Sequence, residues 1–318
     1  MNKKLRYLVN ATISIVLIAF IIYMAGAGKV EEQLSKLILK FFLLALLIEN
    51  FGVAVSAKKW QILLKIKGVK IPFLTAWKYY YIGTFFNAFF PTSVGGDTVK
   101  AYGLSKKLKK KEGAFSSVAM DRLTGLIAVL GVGSISLIFG WGMMPQTAFL
   151  LCLSILILPI MLLAIIFKTD LIGYALKKPF FMKFGRFRNF IEKIYVSLKE
   201  YGSLKREIVP VILISFFYHF LLIINNYVLS ISLGLSIPLY YFFIFIPVAE
   251  ILVFLPITVQ GFGVREGTYV ALFSSIGLGT AKAFSLGFSN QIVILTLDIC
   301  GGFIYLFGTL NRGDEKKL

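Results

Sequence analysis

The chain has 318 residues, 58% of them hydrophobic, with a mean hydropathy of +0.83. Soluble domains are roughly half apolar, and several uncharged runs here reach the ~20 residues that a bilayer crossing needs. A soluble enzyme is excluded, because the longest polar stretch, about 168–207, is shorter than an ordinary domain. The net charge of +19 invites a nucleic-acid reading, but its placement opposes one. Lys and Arg gather at 3–6, 58–78, 100–122, 168–206 and 312–317, against only Lys29, Lys36, Lys40 and Lys282 on the other side. That asymmetry is the positive-inside pattern. Anionic lipid headgroups are therefore the expected partners, and nucleic acid is not.

In chain order, full crossings are predicted at 7–27, 39–57, 114–140, 147–167, 208–232 and 284–308. The first follows Met1-Asn2-Lys3-Lys4-Leu5-Arg6 without a convincing cleavage site, so it reads as a retained helix. A segment of another kind opens at Ile71-Pro72-Phe73 and breaks at Phe90-Pro91-Thr92-Ser93-Val94-Gly95-Gly96-Asp97. It recurs later: Ile237-Pro238-Leu239 leads to Leu255-Pro256-Ile257-Thr258-Val259-Gln260-Gly261-Phe262-Gly263, with Pro72 and Pro238 166 residues apart. Non-helical backbone survives at bilayer depth only where protein or a wet cavity satisfies it. Paired broken segments in two halves point to a substrate site.

A complete crossing by 73–90 would put the lysines of 100–111 outside, against their charge preference. A re-entrant hairpin over 72–100, entering from the cytoplasm, keeps them inside; a second, over 238–276, then enters from the outer side. The fold expected is an all-α polytopic membrane protein with about six full transmembrane helices and two re-entrant hairpins in an inverted repeat. Eight transmembrane helices are the alternative. The chain forms one membrane domain, in which residues 1–167 hold the first repeat and 208–310 the remainder of the second. The intervening 168–207 is a cytoplasmic linker, where Phe187, Phe190, Ile191, Ile194, Tyr195, Leu198 and Tyr201 recur at the spacing of an amphipathic interfacial helix. The protein is placed in the cytoplasmic membrane with both termini in the cytoplasm.

The breaks supply the candidate substrate-binding residues. In the first hairpin these are Asn87, Pro91, Ser93, Gly95, Gly96 and Asp97, where glycines let a ligand approach the backbone and freed N–H groups bind phosphate. The second contributes Glu250, Pro256, Gln260, Gly261, Gly263, Arg265 and Glu266. Charges set in an apolar region are functional candidates, and Arg suits bidentate phosphate recognition. Arg122, beside Asp121 at the start of the third crossing, completes the set. Asp121, Asp298 and His219 are candidates for proton or ion coupling. The structural alternatives are a helix-capping turn at Gly95–Asp97 and an ion pair at the mouth of the second hairpin. Cys152 and Cys300 lie in apolar runs and suggest no disulfide framework. A single histidine rules out a multi-His metal site within one chain. No cofactor is expected, and no P-loop or Gly-x-Ser-x-Gly elbow occurs.

These motifs, Asn87–Asp97, Asp121-Arg122-Leu123 and Leu255–Gly267, resemble the flippase-like, or lysylphosphatidylglycerol synthase transmembrane, family. The resemblance implies an inner-membrane protein that moves or handles lipids. The soluble aminoacyl-transferase domain of the bifunctional members is absent here, so enzymatic activity is not carried over. The leading expectation is a translocator of an anionic phospholipid or a polyprenyl-phosphate lipid. The alternative is a membrane component of a lipid-modifying transferase, such as lysylphosphatidylglycerol synthesis or lipid-linked glycosylation, acting with a separate enzyme.

Overall fold

The computed structural model describes residues 12, 15–16, 18–88, 95–105, 112–168, 195–196, 205–254 and 258–310. Every regular element among them is a helix. A helical stretch at 18–25 ends at Gly26, whose φ of 82° breaks the run. There follow α1 (Ala27–Ser35), α2 (Leu39–Ile66), α3 (Phe73–Asn87), α4 (Gly95–Ser105), α5 (Glu112–Phe139) and α6 (Gln146–Lys168). The later part carries α7 (Lys205–Ser232), α8 (Leu239–Val253), α9 (Val264–Ser274) and α10 (Thr280–Leu310). Among the described residues, α2, α5, α7 and α10 are long and apolar enough to cross a membrane.

Each broken segment folds into two short helices lying side by side. Pro72 and Pro238 occupy the N-cap positions of α3 and α8, with φ of −60° and −57°. A proline there starts a helix without losing a ladder hydrogen bond. In the first pair, Tyr79 donates to the Gly103 carbonyl at 3.4 Å, Gly83 lies against Gly96, and the Gly96 N–H donates to Asn87 Oδ1 at 2.8 Å. Residue numbers rise on one limb as they fall on the other, so α3 and α4 are antiparallel. The pairs Phe242–Phe273, with ring centroids 5.3 Å apart, and Val253–Gly261 establish the same for α8 and α9. The longer limbs have 15 residues, which at 1.5 Å per residue is about 22 Å, short of a ~30 Å hydrocarbon core.

The two halves interlock through glycines. The Tyr81 carbonyl and the Phe85 ring on α3 pack into Gly301 and Gly302 of α10, where a Cβ would collide with them. On the other side, Pro247 and Ile244 of α8 press on Gly133 of α5 and Gly140 just beyond its end. Thus the first limb of each hairpin packs on the long helix that follows the other hairpin. Between them α2 and α7, each of 28 residues, run antiparallel. The Ile38 N–H donates to the Ser232 carbonyl at 2.6 Å, and Phe51 meets Phe217 edge-on at 6.3 Å.

Three boundaries differ from the sequence expectation. The crossing predicted to end at 57 continues to Ile66, because Lys59 finds a carboxylate inside the protein rather than a headgroup. The first hairpin runs past residue 100 to Ser105 for the same reason, since Lys100 is buried. Helix α1 occupies part of the stretch left between the first two crossings. The predicted amphipathic linker helix lies outside the described residues, apart from 195–196 and its last residues.

Candidate functional site

Behind the first hairpin lies a buried ion network. Asp121, in the third turn of α5, receives Lys59 of α2 at 2.9 Å, Lys100 of α4 at 3.3 Å and the Tyr80 hydroxyl at 3.2 Å. Lys100 also pairs with Asp97 at 3.2 Å, and its ammonium sits 3.9 Å from the Tyr80 ring centroid. Asp97 in turn accepts from Arg122 Nε. Lys59 and Lys100 are 4% and 1% exposed, so these two cations do not contribute to the surface charge with which the sequence reading grouped them. A buried charge persists only when paired and hydrogen-bonded, and this network of three cations and two carboxylates ties α2, α4 and α5 together.

A cavity of about 210 Å³ opens beside this network, between the two hairpins. The first hairpin contributes Tyr80, Thr84 and Asn87 to its wall; the second contributes Glu250, Phe254, Gln260 and Arg265. The long helices add Glu49 from α2, Arg122 from α5, and Asp298 from α10. Arg122 lies over the Phe254 ring at 5.5 Å, bridging the two hairpins across the opening. Arg265 is 4% exposed, sits 3.6 Å from Glu250, and donates through its terminal nitrogen to Gln291 Oε1. Asp298 accepts from the Gln260 side chain, and Asn225 donates to Glu49 at 2.8 Å.

Gln260 reaches Asp298 from a constrained turn. Its φ of 52° is left-handed, as are the 81° of Gly261 and 82° of Gly263. A non-glycine residue in that region costs energy and persists where the surroundings hold it.

The structure thus brings Asn87, Arg122, Glu250, Gln260, Arg265 and Asp298 to one cavity. Other candidates have different surroundings. Gly95 and Gly96 are both buried; Gly96 packs against the first limb with its amide already bonded to Asn87, so its missing Cβ serves helix contact, not ligand approach. Glu266 caps its own helix by accepting the Gly263 N–H at 2.7 Å. Asp121 is held by Lys59, Lys100 and Tyr80. His219 Nε2 lies 3.0 Å from the Gly125 carbonyl, fastening α7 to α5 away from the cavity. Pro91, Ser93 and Pro256 lie outside the described residues. Sequence reasoning passed over Glu49, Lys59, Tyr80 and Tyr218, although charges embedded in the long run at 39–66 were a usable signal for the first two. Among the described residues no three His, Cys, Asp or Glu side chains converge on a metal position.

The chain matches the family described as "Lysylphosphatidylglycerol synthase TM region" over residues 7–302. It belongs to that family. Among curated proteins it is similar to a "UPF0104 membrane protein" of Pyrococcus horikoshii, 23% identical over 96% of this chain and 97% of the relative. It is also similar to a "UPF0104 membrane protein" of Methanothermobacter thermautotrophicus, 25% identical over 84% of each chain. No solved structure matches it. This member of the lysylphosphatidylglycerol synthase TM region family is therefore a membrane protein whose two hairpins bound a common charged cavity.

Proposed function

We propose that the protein translocates a lipid with an anionic headgroup, a phospholipid or a polyprenyl phosphate, between membrane leaflets. The observation that carries this reading is the pair of guanidiniums, Arg122 and Arg265, on one small cavity walled by both hairpins. Arg presents a planar fork of donors that matches a phosphate bidentately. An entering phosphate would compete with Asp97 for Arg122 and with Glu250 for Arg265. At about 210 Å³ the cavity is smaller than the ~300–1,000 Å³ of drug-sized sites, so it suits a headgroup whose acyl or prenyl chains stay in the bilayer.

In this reading the hairpins are re-entrant, and residues 1–167 and 208–310 carry an inverted repeat linked by 168–207. The matched limb lengths of 15 and 11 residues in both hairpins support that arrangement, as do the antiparallel α2 and α7. Inverted repeats place their substrate at the interface between copies, and alternate exposure follows from rocking one against the other. The sequence contains no P-loop, so transport would be facilitated or driven by an ion gradient. The protein would sit in the cytoplasmic membrane with both termini inside, where the basic loops face anionic headgroups.

Purified protein in liposomes should speed the flipping of fluorescent phosphatidylglycerol or a labelled polyprenyl phosphate. Arg265→Ala removes charge-assisted hydrogen bonds of about 1.5–3 kcal/mol each and should slow flipping at least ~100-fold. Wild-type rates equal to those of empty liposomes, across both lipid classes, would overturn the proposal. The family's description favours a second reading, the membrane component of a lipid-modifying transferase. A new lipid species by mass spectrometry in overexpressing cells, with unchanged leaflet distribution, would identify that role.

A further inference from the structure

We infer that Glu49 takes up a proton when an anionic headgroup enters the cavity and releases it when the headgroup leaves; the inference rests on the translocation reading above. The cavity wall carries two guanidiniums, Arg122 and Arg265, and three carboxyl groups, Glu49, Glu250 and Asp298. Both guanidiniums already have an acidic partner, Asp97 for Arg122 and Glu250 for Arg265. Glu49 instead receives a neutral amide, Asn225 Nδ2, at 2.8 Å. One donor of a wall residue is also unmatched: the buried Arg265 Nε–H has no hydrogen-bond partner.

An anion accepted by that donor joins a wall in which acids outnumber bases. Two like charges about 7 Å apart at an effective dielectric near 20 weaken binding on the order of 50-fold. A positive charge entering with the anion removes that penalty. A coordinated metal ion is not the candidate, because among the described residues no three acidic side chains converge at ligand spacing. A proton needs only one carboxyl.

Glu49 is that carboxyl because of what faces it. Glu250 from α8, Arg265 from α9 and Asp298 from α10 all act on it electrostatically, with Asn225 from α7 as its hydrogen-bond donor. Tyr218 of α7, Tyr269 of α9 and Tyr81 of α3 complete the titratable neighbours it acts on, with Arg122 across the cavity. When a phosphate draws Arg265 away, Glu49 loses a compensating charge while Glu250 and Asp298 remain. Asp298 and Glu49 each accept from one neutral amide, Gln260 and Asn225, but Asp298 is only 3% exposed, whereas Glu49 is partly buried and more open to the cavity. The exchange is balanced. One proton passes from water onto the Glu49 carboxylate as the anion enters and returns to water as the anion leaves, with no other bond made or broken.

The test is calorimetric titration of the full-length protein in detergent with dihexanoyl phosphatidylglycerol. The titration is run near neutral pH in HEPES and in Tris, buffers whose heats of ionisation differ and which contain no phosphate to compete for the site. The difference in apparent heat counts protons taken up per lipid bound. Wild type should take up about one, and Glu49→Gln close to none while binding remains measurable. Wild-type binding without proton uptake overturns the inference and leaves translocation standing. Uptake that persists in Glu49→Gln, or binding that depends on sodium concentration with no proton exchanged, also overturns it. Failure of wild type to bind the lipid at all removes both the inference and the reading beneath it.

Discussion

Asp121→Asn tests the buried ion network directly. The substitution keeps the shape of the side chain and deletes the charge that Lys59 and Lys100 share at 2.9 and 3.3 Å. At an effective dielectric near 20, each contact is worth about 5–6 kcal/mol of gross attraction. Much of that sum is offset by desolvation of the carboxylate, and removing one partner of a buried pair typically costs about 3–5 kcal/mol. At about 2 °C per kcal/mol for a chain of this length, the variant should melt roughly 6–10 °C below wild type. Intrinsic fluorescence in detergent is the assay, because Trp60 sits 4.8 Å from the Lys100 ammonium and donates to Ser117 at 3.0 Å. Adding Lys100→Met should recover part of the loss, since the second change removes a stranded cation. A variant melting within ~2 °C of wild type, or single losses that simply add in the double variant, would refute the reasoning.

Gly96→Ala should open the first hairpin, because a Cβ there would strike the Gly83 carbonyl and lie 2.7 Å from Asn87 Oδ1. A loss of about 1–3 kcal/mol or more is expected by thermal unfolding, whereas Gly28→Ala, with nothing within 4 Å, should not destabilise. His219→Phe removes one hydrogen bond, to Gly125, and should cost about 1 kcal/mol in stability without changing the flipping rate in liposomes.

Much of the architecture was legible because it depends on strong local rules. Proline at 72 and 238 starts helices, glycine at 261 and 263 permits left-handed turns, and long uncharged runs make spanning helices. Similar motifs at a 166-residue spacing led to the hairpins, and both segments fold as antiparallel helix pairs. The site was legible in part. Arg265, Glu250 and Asp298 stood out as charges in apolar surroundings, and they do line the cavity. Glu49 and Lys59 had the same quality and were passed over: Lys59, just past the predicted end of its crossing, was grouped with the basic cluster at 58–78, and Glu49, at the middle of that crossing, lacked a broken segment to mark it. Glu266, by contrast, looked like a ligand and serves as a helix cap, a role set by the turn before it rather than by its own chemistry.

Composition, charge placement and helix punctuation settled that the chain enters a membrane and breaks twice in matching places, because each depends on near neighbours in the chain. Three-dimensional packing alone decided which charges meet. Lys59 reaches Asp121 across 62 positions and Asn225 reaches Glu49 across 176, and no periodicity within one helix encodes which face turns toward such a distant partner. The low dielectric of the interior makes those long-range pairings obligatory once the glycine contacts bring the helices together.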